Sequence, residues 1–313
     1  MHALRGVIGR RSRQAAHLAA ALLTLTAVSA PGDAGAQRRF DSADAAMKAM
    51  VAEIESDDQQ AIFEILGAEY KDRLVTSDWD AERPVREKIA AAAKEKLEAK
   101  PIDGDRMEWI LGSEEWPFPF QTVRGDDGSW TFDTEQGIEA ILDRRIGRNE
   151  LSAIALVNAY VDAQIAYAKE DRNGSGVLEY AQRLASTEGQ RDGLYWESAP
   201  DEPESPFGPL VKGAETYLDT VEKGDPIRGY YFRVLNGQGE HAPGGAHSYV
   251  VNGNMIAGFA LVAYPAEYGN TGVMTFIVNN RGLIQQKAIE EFEEIDVYDP
   301  DDSWVEVEEE AKP

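Results

Sequence analysis

The chain has 313 residues, 43% hydrophobic and 28% charged, enough to bury one large core or two ordinary ones, and it is neither disordered nor collagen-like in composition. Lys and Arg number 31 against 56 Asp and Glu, a formal charge of -25, so a nucleic-acid backbone or an anionic lipid surface is repelled while cations and basic surfaces are favoured. Cysteine is absent, which removes disulfides, thiolate metal sites and cysteine nucleophiles together.

Residues 1–36 read as a secretory signal peptide. Arg5, Arg10, Arg11 and Arg13 make a positive start, Ala15 to Ala30 an Ala/Leu-rich apolar run, and Ala34-Gly35-Ala36 an A-x-A cleavage site. Thr24, Thr26 and Ser29 leave the run too short for a retained membrane anchor. The expected location is the periplasm or the extracellular space, with Arg10-Arg11 leaving the export route open between the general and twin-arginine systems.

Residues 37–146 predict helices followed by strands. Asp41 or Ser42 caps a helix carrying Ala46, Met47, Met50, Val51 and Ile54, and Asp57-Asp58 opens a second with Ile62, Phe63, Leu66 and Tyr70. A third runs from Pro84 toward Lys100 and stops at Pro101. Met107–Leu111, Trp116–Val123 and Trp130–Phe132 are aromatic-rich strands, the last two joined by the turn Gly125-Asp126-Asp127-Gly128. Helices on one face of a bent antiparallel sheet follow from this order.

Residues 147–288 form a second predicted module. A helix over 149–169 buries most of its circumference and leaves a narrow polar stripe of Asn158, Asp162 and Lys169. The Pro- and acid-rich stretch from Glu197 to Pro209 reads as a long surface loop. From Gly224 to Gly282 the chain holds 11 of its 28 glycines, which punctuate an antiparallel meander with Asn-Gly turns at 236 and 252. Residues 289–313 are an acidic tail, half anchored by Val297, Tyr298, Trp304, Val305 and Val307. The fold class is α+β.

Trp116-Pro117-Phe118-Pro119, RRIGRNEL from Arg144 to Leu151, DAQIAYA from Asp162 to Ala168, Asp192-Gly193-Leu194-Tyr195-Trp196 and FALVAYPAEYG from Phe259 to Gly269 together resemble the bacterial domain-of-unknown-function 2950 family over about residues 40 to 305. That resemblance implies a family and brings no assigned activity. NELSAI, AQIAYA, YYFRV, FALVAYP and GVMTFIVNNRG more distantly resemble the globular part of type IV pilins and pseudopilins, with the 149–169 helix as spine. A whole module precedes that spine here, where pilins place a hydrophobic helix just after the processing site. The first module is similar to the cone-shaped fold of the ketosteroid-isomerase superfamily. Neither likeness of fold implies a function.

The sharpest chemical motif is Asp171-Arg172-Asn173-Gly174-Ser175-Gly176-Val177-Leu178-Glu179. On a calcium-loop template, Asp171, Asn173 and Ser175 supply oxygens at positions 1, 3 and 5, Gly176 is position 6, Val177 gives a carbonyl at 7, and Glu179 is position 9. Position 12 is Gln182 instead of a bidentate Glu, so the expected affinity is low. The alternative is a helix end followed by a Gly-rich turn whose Asp and Asn bond their own backbone. His241 and His247 flank Pro243-Gly244-Gly245 and read as exposed loop side chains, not zinc ligands. There is no G-x-S-x-G elbow and no Walker sequence, and Gly237-Gln238-Gly239 sits among strands, so it is no dinucleotide loop. Arg144, Arg145 and Arg148 with Glu150 are read as an inter-module clamp first and an anion site second.

These features predict an exported, non-catalytic binding or structural protein whose candidate cofactor is calcium and whose partner is a cation or an unidentified envelope protein. Two alternatives stand beside it. One is a hydrolase or isomerase-type enzyme using first-module carboxylates, such as Glu114-Glu115 or Asp78 and Asp80, beside a pocket lined by Trp116, Phe118, Phe120, Trp130 and Phe132. The other is an accessory of a pilus-like or secretion assembly.

Overall fold

A computed structural model describes residues 37–74, 79–80, 83–198, 201–208, 225–291 and 294–308, so the signal-peptide reading lies outside the described residues. The fold is α+β, with antiparallel sheets. The chain divides into two compact units between Arg145 and Ile146.

In the first unit, Ser42 caps α1 (Ala43–Ser56), its hydroxyl accepting from Ala45 N at 3.1 Å. Met47, Met50 and Ile54 recur on one face and are fully or almost fully buried. Asp57 ends the helix in the left-handed region, and Asp58 caps α2 (Gln59–Leu66) by accepting from Ala61 N at 3.0 Å. Two more helices follow, α3 (Lys71–Leu74) and α4 (Arg83–Glu95). On α4, Arg86 is 1% exposed. Its Nε donates to Asp57 Oδ1 at 2.5 Å, its Nη2 to Trp79 O at 2.9 Å, and its guanidinium lies 3.6 Å from the Trp79 ring centroid.

The helix expected to reach Lys100 stops at Glu95. Residues Leu97–Pro101 form β1, paired with β2 (Arg106–Leu111) in register Leu97↔Leu111. The helix-favouring Leu-Glu-Ala-Lys is overridden by sheet pairing, and Pro101 is tolerated because β1 is an edge strand. The strand expected over Trp116–Val123 is broken into β3 (Trp116–Pro117) and β4 (Thr122–Arg124), since Pro117 and Pro119 cannot donate to a continuous ladder. With β5 (Trp130–Phe132) the order is β1-β2-β4-β5, and β3 also pairs with β2. Trp109 is buried beneath this sheet and donates its indole N–H to Thr122 Oγ1 at 3.1 Å.

The longest helix, α5 (Thr134–Tyr167), begins fifteen residues earlier than the predicted 149, and the boundary between units falls within it. Asp133 supplies the missed start, its carboxylate accepting from Gln136 N at 3.1 Å. In the second unit, Val157, Tyr160, Ala163 and Tyr167 of α5 are buried in one core with the strands β6 (Tyr230–Leu235), β11 (Ala260–Pro265) and β12 (Met274–Asn279). Four short strands lie between β6 and β11: β7 (Gly237–Gln238), β8 (His247–Ser248), β9 (Val250–Val251) and β10 (Asn254–Met255). After β12 come β13 (Gln285–Ala288) and β14 (Val305–Glu306), giving the antiparallel order β14-β13-β12-β11-β6. Consecutive residues of β11 and β12 are buried, as in strands covered on both faces.

Asn252-Gly253, both at positive φ, makes the tight turn between β9 and β10. Asn236-Gly237 makes no such turn: Gly237 belongs to β7 and pairs with Ser248 of β8. Nor is the stretch after Glu197 wholly at the surface, because Ser205 and Phe207 are buried. Ala181, Leu184, Leu194, Trp196 and Phe207 join the second core without regular secondary structure. Tyr298 and β14 likewise place part of the acidic C-terminal stretch in this unit.

Candidate functional site

The loop that leaves α5 gathers the residues expected to hold calcium. Asp171 Oδ1 accepts from Ser175 N and its Oδ2 from Gly176 N, both at 3.0 Å. Asn173 Oδ1 accepts from Ser175 N at 3.1 Å, while Asn173 Nδ2 donates to Glu179 Oε1 at 2.8 Å. Ser175 Oγ donates to the same Glu179 oxygen at 2.9 Å and lies 3.3 Å from Val177 O. Each of the five expected ligands is thus hydrogen-bonded to at least one other. Gly174 and Gly176 have φ of 73° and 79°, a conformation that costs glycine little and lets the loop fold back on itself.

Three anchors fix the loop. Arg172 donates to Tyr167 O and Ala166 O, satisfying carbonyls that the end of α5 leaves open. Glu179 is only 4% exposed, and its second oxygen accepts from Met255 N of β10 at 3.1 Å. Gln164, on α5, is fully buried and satisfied: its Nε2 donates to Ala181 O at 2.8 Å and Tyr160 Oη at 3.0 Å, and its Oε1 accepts from Ala181 N at 2.8 Å. Tyr160 donates onward to Ala260 O on β11, and burial pushes its phenol well above the usual range despite the Gln164 bond. Gln164 was not singled out from the sequence. The available signal was an amide within the apolar face of an otherwise buried helix.

Gln182 turns away from the loop and donates to Gly253 O at 2.7 Å. The loop therefore offers five protein oxygens where calcium takes six to eight, leaving the balance to water. Neither Asp171 nor Glu179 has a Lys or Arg partner among the described residues. Among the described residues no group of three or more His, Asp or Glu that could hold a metal ion occurs; the groups that the loop itself brings together present oxygens only.

The other expected residues lie elsewhere. The Arg144 guanidinium is 5.5 Å from the Trp116 ring centroid, and Arg145 and Arg148 are partly buried on α5. Glu150 accepts from Val273 N and Met274 N at 2.9 and 3.0 Å, tying α5 to the start of β12, while Asn149 donates to Thr271 O at 2.8 Å. His247 is exposed beside Gly245 O. His241 is also exposed, but its Nδ1 lies 3.0 Å from Asp299 Oδ2, a pairing the sequence reading missed.

In the first unit the aromatic cluster fills its interior: Trp116, Phe118, Phe120 and Phe132 are at most 3% exposed. Several carboxylates nearby are engaged. Glu115 pairs with Lys96 at 3.3 Å, Asp80 with Arg83 at 3.0 Å, and Asp127 with Arg39. Hydrogen bonds from Ser129 hold Asp127 below the ordinary carboxylate range, with Arg39 adding to the effect. Asp78 lies outside the described residues.

No helix of the described residues is long and apolar enough to cross a membrane. No curated protein matches the chain, and no solved structure does, so the pilin and ketosteroid-isomerase likenesses find no support there. A family model described as Protein of unknown function (DUF2950) matches residues 37–307, and the chain belongs to that family.

Proposed function

We propose that the protein is an exported, non-catalytic binding or structural module whose second unit is braced by a low-affinity calcium ion in the Asp171–Glu179 loop. The observation that carries this reading is Glu179, a carboxylate 4% exposed that meets only neutral donors from Asn173, Ser175 and Met255. Taking a carboxylate out of water without a cation is costly, and the oxygens of Asp171, Asn173, Ser175 and Val177 lie in the same loop, linked to it through Ser175. The filled aromatic interior of the first unit and its engaged carboxylates favour binding over catalysis. The basic start, apolar run and A-x-A site of residues 1–36 support export.

Calorimetric titration of residues 37–313 with calcium is expected to give a dissociation constant around 10⁻⁴ to 10⁻³ M, the range of extracellular calcium modules. A chelator should lower the melting temperature, and Asp171→Ala should abolish both effects. A titration without heat, together with melting indifferent to chelator, overturns the reading. Export is checked separately, by mass spectrometry of the protein recovered from the envelope fraction, which should begin at Gln37.

A further inference from the structure

His241, paired with Asp299, lines a cleft of about 210 Å³ in the second unit, far in sequence from the Asp171–Glu179 loop. Arg281 and Leu283, from the turn between β12 and β13, form one wall, and Tyr298 and Glu306 line the same hollow. Much of this lining is positioned by hydrogen bonds. Arg281 N donates to Oδ1 of the buried Asn279 at 3.0 Å, Tyr298 Oη donates to Gln285 Oε1 at 2.9 Å, and His241 N donates to Asp299 Oδ1 at 2.7 Å. Glu306 is held in β14 opposite Gln285.

Two charges in this cleft are left over. The Arg281 guanidinium and the Glu306 carboxylate line the same hollow, yet neither forms an ion pair or a side-chain hydrogen bond among the described residues, with the other or with any third group. A simple anion would satisfy Arg281 and be repelled by Glu306, while a simple cation would do the reverse. A ligand carrying both signs satisfies both. His241 commits Nδ1 to Asp299, so its Nε2 accepts in the neutral ring and donates to an anionic end only in the protonated one, and Leu283 offers an apolar surface to the ligand's carbon atoms.

We propose that this cleft binds a small zwitterion, with its carboxylate on Arg281 and its ammonium on Glu306. The chemical class is that of free amino acids and short ω-amino acids. The volume of about 210 Å³ is that of a small ligand.

The test is calorimetry on residues 37–313 with glycine, β-alanine and 5-aminopentanoate, which differ in charge spacing, beside acetate and methylammonium, which carry one charge each. At least one zwitterion should bind roughly tenfold more tightly than either single-charge probe, the gain expected of a second charge-assisted contact. Arg281→Gln and Glu306→Gln should each remove that tenfold advantage, and Glu306→Gln should leave acetate binding undiminished. Both side chains lie at the surface, and unchanged melting of the variants checks that the fold persists. Acetate binding as well as every zwitterion, indifference to Glu306→Gln, or no binding by any probe overturns the proposal.

Discussion

Thr275, on β12, has a hydroxyl buried at 0% exposure with no hydrogen-bond partner among the described residues. Its desolvation is uncompensated, so Thr275→Val, which keeps the shape and drops the hydroxyl, should raise stability by about 1 kcal/mol in urea unfolding. His241 makes the opposite case, a polar group that gains a partner on folding. The Asp299 hydrogen bond, helped by the charges of Asp299, Asp301 and Asp302, raises its pKa above the ordinary imidazole value. A raised pKa means that the pair contributes fully below the unfolded value and that the contribution is lost as pH rises through the folded one. NMR titration should place the His241 transition above the ordinary imidazole value, and Asp299→Asn should bring it down. That Asp171, Asn173, Ser175, Val177 and Glu179 meet in one loop was legible because they lie close together along the chain. The His241–Asp299 pair was not, since 58 residues separate the partners and no local pattern links them.

Helix α5 carries two glycines that helix propensity treats alike and the fold does not. A Cβ at Gly137 would lie 1.9 Å from Phe120 Cδ1, whereas nothing lies within 4 Å of a Cβ at Gly147. Gly137→Ala should therefore destabilise by about 1–3 kcal/mol through overpacking, and Gly147→Ala should stabilise by up to about 1 kcal/mol through helix propensity. Thermal unfolding of the two variants should shift in opposite directions; a shared sign would refute the close-approach account. Both glycines are poor helix formers, which is why the early start of α5 at Thr134 escaped the sequence reading. Capped, amphipathic α1 and α2 were legible from their own residues. Strand β1 was not, because its Leu-Glu-Ala-Lys favours a helix and only pairing with Met107–Leu111 turns it into a strand.

Across the whole molecule, the buried residues form two cores that share no member, one within each unit. Calcium bound at Asp171–Glu179 should therefore slow amide exchange in the second core, including Met255 and Ala181, and leave residues 43–66 unchanged; protection spreading equally through both would contradict a local brace. The formal charge of -25 also predicts that melting temperature rises as salt increases, through screened self-repulsion. The sheet of the second unit has two flanks. On one, the two-residue β14 sits beside β13; on the other, Arg233 of β6 is tethered to Glu294, Ile295 and Asp296. Both coverings come from the same acidic C-terminal stretch. A protease that clipped the chain before Glu294 would remove β14, bare the backbone edge of β13 to neighbouring copies and release the Arg233 side chain, so such clipping should raise the tendency to aggregate.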